Sequence, residues 1–297
     1  MHTVKLPRYR YQRTISRPAE VHGVGFVTGA KVRLRFMPAP PGTGIVFVRG
    51  DLGPQAYVHA TVDSVTGTNR RTTLGRHPIC VQLVEHVMAA LGGLRVDNCR
   101  VEVNAAEPPG MDGSSRAFVE AIHSAGIKLQ SARREILVVR RRVVLESKGT
   151  TLAIHPSEAD ELRISYLLDY GPDSPIVRQS HTVVVTPESF ANELANCRTF
   201  LLEHEAHELR QSGIGINTSV KDLVVFGPAG PIENRLRFAN EPVRHKILDI
   251  VGDLALLGQD LRGHIVAYRS GHPLNIAMGR ALLAQTQQCQ SPLRLAA

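Results

Sequence analysis

The chain has no tryptophan, only six Tyr and eight Phe among 297 residues, and four scattered cysteines, Cys80, Cys99, Cys197 and Cys289. So few aromatics leave little with which to build the base-stacking platforms of single-strand nucleic-acid binders. No CxxC pair is present, which argues against a cysteine-type structural zinc, and the scatter argues against a disulfide framework. No apolar run approaches the roughly 18 residues of a membrane span. The basic opening MHTVKLPRYRYQRTIS lacks an apolar h-region. Neither an integral membrane segment nor a secretory signal is expected, and the cytoplasm is the expected compartment; the oligomeric state stays open.

Positive charge is plentiful. Thirty-five Lys+Arg against 27 Asp+Glu give +8, which suggests an anionic partner: nucleic acid, an acidic membrane surface or a phosphorylated substrate. The densest patch, RREILVVRRRVV, alternates with aliphatics like a strand with an arginine edge. Arg140, Arg141 and Arg142 motivate a basic nucleic-acid-binding module as the competing class of function. The shortage of aromatics speaks against it, and no nucleic-acid partner is expected.

A weak internal repeat organises the chain. KVRLRFMPAPPGTGIVFVRG reads as strand, connection and strand, and EILVVRRRVVLESKGTTLAIHP followed by ELRISYLLDY opens the second half similarly. LVEHVMAALGGL, NCRVEVN and SSRAFVEAIHSAG then read as helix, strand, helix. VRHKILDIVGDLALLG, GHIVAY and NIAMGRALLAQTQ repeat that order. The fold class expected is α+β: two similar fused domains, each a layered sheet-plus-helices sandwich, with the active site between them. The domains are 1–130 and 131–297, joined through the polar, turn-like stretch at residues 126–135.

Within RHKILDIVGDL, His245, Asp249 and Asp253 recur at steps of four and so climb one helix face. That face is either a metal site or a solvated one with an ordinary i,i+4 pair, and the stretch alone does not decide. The matching helix of the first half places Glu85 beside His86, and YRSGHPLN sets His272 in a turn directly after a strand. Two histidines and one carboxylate are a usual catalytic zinc set with a fourth position open to water, and imidazole suits Zn²⁺ better than Mg²⁺. Glu85 diverges from His86 by about 100° on the helix. It therefore reads as a general base, with His272 as the acid for the leaving group and Asp253 as that histidine's hydrogen-bond partner. In CRTF, the Thr199 hydroxyl could support an oxyanion. Lys246 is either a solvated cation or a contact to a substrate phosphate. Ile247, Leu248, Ile250, Val251 and Leu254 form the core face of the same helix. EHEAHELR imitates HExxH, but one spacer is missing between His204 and His207, and it reads as a solvated helix.

VEHVMAALGGLRVDNCRVEVNAAEPPGMDGSS, CRTF, LRFANEPVRHKILDIVGDLALLG and SGHPLN together resemble the zinc-dependent UDP-3-O-acyl-N-acetylglucosamine deacetylases of lipid A biosynthesis. Matching stretches run from about residue 11 to residue 275. The resemblance implies a Zn²⁺ ion on His86, His245 and Asp249, with Glu85 as general base and His272 as general acid or cationic stabiliser. It also implies Asp253 orienting His272, Thr199 polarising the carbonyl, and Lys246 and Phe200 as contacts to a UDP-linked acylated amino sugar. The reaction would be hydrolysis of the N-acetyl group with release of acetate. Residues 201–222 depart from the family pattern, which motivates an alternative: a diverged paralogue deacetylating another acylated sugar nucleotide.

Overall fold

A computed structural model describes residues 9–290. Its helices are α1 (Glu85–Gly93), α2 (Arg116–Ala125), α3 (Pro187–Ser189), α4 (Glu203–Gln211), α5 (Glu241–Ala255) and α6 (His272–Gln290). None is long and apolar enough to cross a membrane.

The α+β class holds, and the repeat is closer than the sequence pattern suggested. In the first half the strand order is Ala19–Val24, Lys31–Pro38, Cys99–Val103, Ile45–Arg49, Tyr57–His59. In the second it is Val143–Ser147, Thr150–His155, Asp260–Tyr268, Leu162–Leu168, Gln179–Val184. Each central strand follows one helix and precedes another: Cys99–Val103 lies between α1 and α2, and Asp260–Tyr268 between α5 and α6. Each runs antiparallel to one neighbour and parallel to the other, and each outer strand is antiparallel to the strand it borders. Each half also carries an insertion before its first core helix. In the first half it is the three-stranded sheet Val65–Gly67, Thr73–Arg76, Ile79–Gln82. In the second it comprises α3, the sheet Phe200–Leu202, Val224–Gly227, Gly230–Pro231, and α4.

Three stretches differ from their sequence reading. Residues 126–135 do not form a turn: Gly126 ends α2 with φ of 70°, and the strand Ile127–Val138 runs through position 130. That strand pairs antiparallel with Tyr9–Ile15, so the first strand of the chain joins the larger sheet of the second half. The arginine run is not a continuous strand, because Arg140, Arg141 and Arg142 fall in the connection to Val143–Ser147, where they are exposed. His272 is not in a loop but opens α6, with Pro273 supplying a backbone angle suited to a first turn.

The core lies between the two sheets. α1 and α5 pack on each other there, which explains why EHVMAALGG is buried on nearly every face. α5 starts with Pro242 in its first turn, and its aliphatics at Val243, Ile247, Leu248, Ile250, Val251 and Leu254 are all buried. The crossing is backbone-close. A Cβ on Gly252 would lie 2.1 Å from the Glu85 carbonyl oxygen, and one on Gly92 would lie 2.8 Å from the Cβ of Ala255. Gly252→Ala must therefore push the helices apart and is expected to cost about 3 kcal/mol, read from the shift of a denaturant midpoint.

Candidate metal centre

The α1–α5 crossing brings together side chains that are far apart in sequence. Glu85, His86, His245, Asp249, Asp253 and His272 are all buried, with exposures of 1–6%. All of them except Asp253 line a cavity of about 860 Å³ to which both halves contribute.

On one side are His86, His245 and Asp249, whose donor atoms all lie within 4.8 Å of one another. Asp249 Oδ1 is 3.4 Å from His245 Nε2 and 3.8 Å from His86 Nε2. Ligands about 2.0–2.1 Å from a tetrahedral ion stand roughly 3.3 Å apart, so this spacing suits a shared metal. The two imidazole rings meet edge to face with centroids 5.0 Å apart. His245 Nδ1 faces the Cys197 carbonyl at 3.0 Å, and donating there leaves Nε2 free as a ligand. Burial, and then the neighbouring His245, push the His86 imidazole down to about 3; burial likewise lowers His245. Both rings are therefore neutral, the ligating form. Burial opposes the charge on Asp249, but Lys246 and the histidines outweigh it and hold the carboxylate ionised. Two neutral imidazoles and one carboxylate fit zinc, whereas Mg²⁺ and Ca²⁺ ask for oxygen on nearly every side.

On the other side are Glu85, Asp253 and His272. Burial, with Asp253 and Asp249 nearby, pushes Glu85 up to about 7 against the pull of His272. Burial opposes protonation of His272, but Asp253 overrides it and the imidazole rises to about 9. The contact responsible is His272 Nδ1 to Asp253 Oδ2 at 2.8 Å. His272 Nε2 stands 3.8 Å from Glu85 Oε1, which leaves a proton donor and a proton acceptor facing one space.

The remaining expected residues are placed as follows. Lys246 lines the cavity, with Nζ donating to Asp249 Oδ2 at 2.6 Å. Thr199 lines it too; its amide donates to the Gly113 carbonyl at 2.7 Å, and among the described residues its hydroxyl makes no hydrogen bond. Phe200 is in the wall, its ring 6.2 Å from that of His245 and 5.9 Å from Tyr170. In EHEAHELR both histidines, His204 and His207, are exposed and away from the cluster. Glu205 does more than face solvent: it accepts from the Leu202 amide at 3.0 Å and pairs at 3.0 Å with Arg70, which also lines the cavity.

Two members were not anticipated. Thr72, buried in the first insertion, donates its hydroxyl to Asp253 Oδ1 at 2.6 Å and its amide to Glu85 Oε2 at 3.0 Å. It thus joins both ends of the acid–base pair. Asn275 donates to Asp253 Oδ2 at 2.9 Å. It lies within SGHPLN, so its signal was present. Thr72 sits in TNRRTTLG, where nothing distinguishes it from the adjacent threonine.

His245→Ala or Asp249→Ala removes one of the three candidate ligands and is expected to reduce bound metal from about one per chain to near zero after dialysis, read by elemental analysis. Glu85→Gln should keep the metal, because that side chain lies outside the ligand triangle.

Residues 12–284 match the model of the UDP-3-O-acyl N-acetylglycosamine deacetylase family. The UDP-3-O-acyl-N-acetylglucosamine deacetylase of Myxococcus xanthus is 40% identical over 275 residues, covering 92% of this chain and 86% of that protein. The protein of the same name from Chlamydia abortus is 42% identical over 279 residues, 94% of this chain and 99% of its own length. The Chlamydia pneumoniae protein, again of that name, is 42% identical over 276 residues, 92% of this chain and 97% of its own. On this coverage the chain belongs to the UDP-3-O-acyl N-acetylglycosamine deacetylase family.

Proposed function

We propose that the protein is a zinc-dependent deacetylase that hydrolyses the N-acetyl group of a UDP-3-O-acyl-N-acetylglucosamine, a step of lipid A biosynthesis. Acetate and the free amine are the products. The observation that carries the reading is the juxtaposition of a three-ligand set with a separate acceptor–donor pair, Glu85 and His272, 3.8 Å apart. His86, His245 and Asp249 would hold the zinc, which when bound would supply Lewis acidity toward the amide carbonyl and lower the pKa of water.

The chain's own residues divide the proton work. Glu85 accepts a proton from water as its oxygen attacks the acetyl carbon; burial keeps the carboxylate basic enough for that role. The Thr199 hydroxyl, without another partner among the described residues, donates to the oxygen that gains negative charge. His272, held protonated by Asp253, first stabilises that charge and then gives its proton to the amine nitrogen as the C–N bond breaks. Thr72 donates to the other oxygen of Asp253, and Asn275 to the same oxygen as His272, and together they hold the carboxylate toward His272.

For the substrate, Lys246 and Phe200 stand in the same cavity wall, and Arg70, Arg71, Arg210 and Arg269 offer further cations to a diphosphate. Several residues from Leu201 to Ser219 line the cavity, which supports reading the departures of residues 201–222 as bearing on substrate fit rather than on chemistry. We also read the chain as two units, 1–130 and 131–297, supported by the two equivalent sheets, with the strand Ile127–Val138 running across the boundary.

Acetate release by purified protein tests the reading. Full activity after complete removal of zinc would sink it, and Glu85→Gln is expected to lower kcat by two orders of magnitude or more, in the range typical of a lost general base. The pH profile carries a second expectation. A donor that must be protonated stays competent below its pKa, so activity should fall above about pH 9. Asp253→Asn removes the carboxylate that favours the imidazolium, and the alkaline limb should move to lower pH; an unmoved limb would remove His272 from the acid role.

A further inference from the structure

Glu107 is a carboxylate with 0% exposure that takes no part in the proposed chemistry. It follows the central strand of the first sheet, in NAAEPPGMDG. One loop engages it. The Val27 amide donates to Oε2 at 2.9 Å and to Oε1 at 3.2 Å, and the Thr28 amide and hydroxyl each donate to Oε1 at 2.6 Å. Glycines make room for this arrangement. A Cβ on Gly25 would lie 2.2 Å from Glu107 Oε1, and one on Gly110 would lie 2.2 Å from the Phe26 ring. The loop closes on itself through the Gly25 amide and the Ala30 carbonyl at 2.9 Å. It also touches the second half, where Asn217 Nδ2 donates to the Gly29 carbonyl at 3.2 Å.

The held segment matters because of what it presents. Phe26 and Val27 line the cavity that contains the metal ligands, and with Leu201, Leu209, Ile214 and Val225 they make up an apolar part of its wall. A buried carboxylate is costly without donors, and here the donors come from the two residues that follow Phe26. We propose that Glu107 is a positioning residue for substrate selection: it fixes Phe26 and Val27 as the wall against which the 3-O-acyl group packs. Acyl-chain recognition then depends on a charge that never touches the substrate. This inference rests on the deacetylase reading above and adds to it the side chain that shapes the acyl contact.

The test compares two substrates, UDP-N-acetylglucosamine carrying a long or a two-carbon 3-O-acyl group, in the wild type and in Glu107→Gln. The glutamine NH₂ would oppose the loop amides, displacing the wall. Apolar contacts are worth roughly 10–200-fold per methylene in a well-formed pocket. The ratio of kcat/KM for the long over the short acyl group is therefore expected to fall about tenfold or more, through KM rather than kcat. Thr28→Val, which removes only the hydroxyl donor, should lower the ratio in the same direction, and it decides the matter if Glu107→Gln does not fold. In a Phe26→Ala background the glutamine substitution should change the ratio less than about twofold.

Equal losses on both substrates, with the ratio unmoved, would overturn the inference and leave Glu107 a structural residue. Additive effects of the Phe26 and Glu107 changes would overturn it as well. Hydrolysis of neither substrate by the wild type would instead overturn the deacetylase reading, and this inference with it.

Discussion

The site depends on one close approach, the crossing of α1 and α5 at Gly252 and the Glu85 carbonyl. A side chain at Gly252 would hold the helices apart, since even a Cβ would lie 2.1 Å from that carbonyl oxygen. Because the helices meet there, His86 in the first turn of α1 and His245, about two turns before Gly252 on α5, reach the same point. His86 and His245 come to 5.0 Å between ring centroids. The equivalence of the two sheets supports this geometry. Each half offers a buried helix followed by a central strand, and stacking the two helices buries both at once.

Burial then differentiates residues that are chemically alike. Asp249 and Asp253 are one turn apart on α5 and are 2% and 1% exposed, yet they serve different neighbours. Asp249 meets Lys246 and the two neutral imidazoles, whereas Asp253 meets His272, Thr72 and Asn275. The histidines separate in the same way. Burial, and then the neighbouring imidazole, push His86 down to about 3, while Asp253 overrides burial and pushes His272 up to about 9. One dry environment therefore holds neutral imidazoles and a charged proton donor close together, the Asp253 carboxylate reversing for His272 what burial does to the other two. Wide separation of titratable groups in one cavity is a common mark of acid–base sites.

Much of this could be read from the residues because helices translate sequence spacing directly into direction. The step of four from His245 to Asp249 and Asp253 put all three on one face, and the structure has them so. The helix–strand–helix order of both halves was equally visible. What escaped depended on contacts that spacing does not encode. Thr72 enters through the first insertion, whose short strands carry no pattern that points toward Asp253, 181 residues away. The strand Ile127–Val138 reads as a turn at its start because Lys128, Gln130 and Ser131 are polar, but in the pairing with Tyr9–Ile15 Lys128 and Ser131 are exposed while Gln130 bonds to Asn98 and to the Ala39 carbonyl. His272 was placed in a loop because Ser270 and Gly271 precede it, although Pro273 is a first-turn residue as readily as a loop residue. Glu205 shows the reverse case, a residue in a solvated helix that nevertheless joins the two halves through Arg70.

The most direct measurement of the proposed centre is X-ray absorption at the zinc edge on protein purified without added metal. Two imidazole nitrogens and one carboxylate oxygen from His86, His245 and Asp249, at about 2.0–2.2 Å with a further light-atom ligand from solvent, are the expected shell. That shell should collapse in Asp249→Ala and persist in Glu85→Gln. A sulfur ligand, an all-oxygen shell, or a spectrum indifferent to the loss of Asp249 would contradict it.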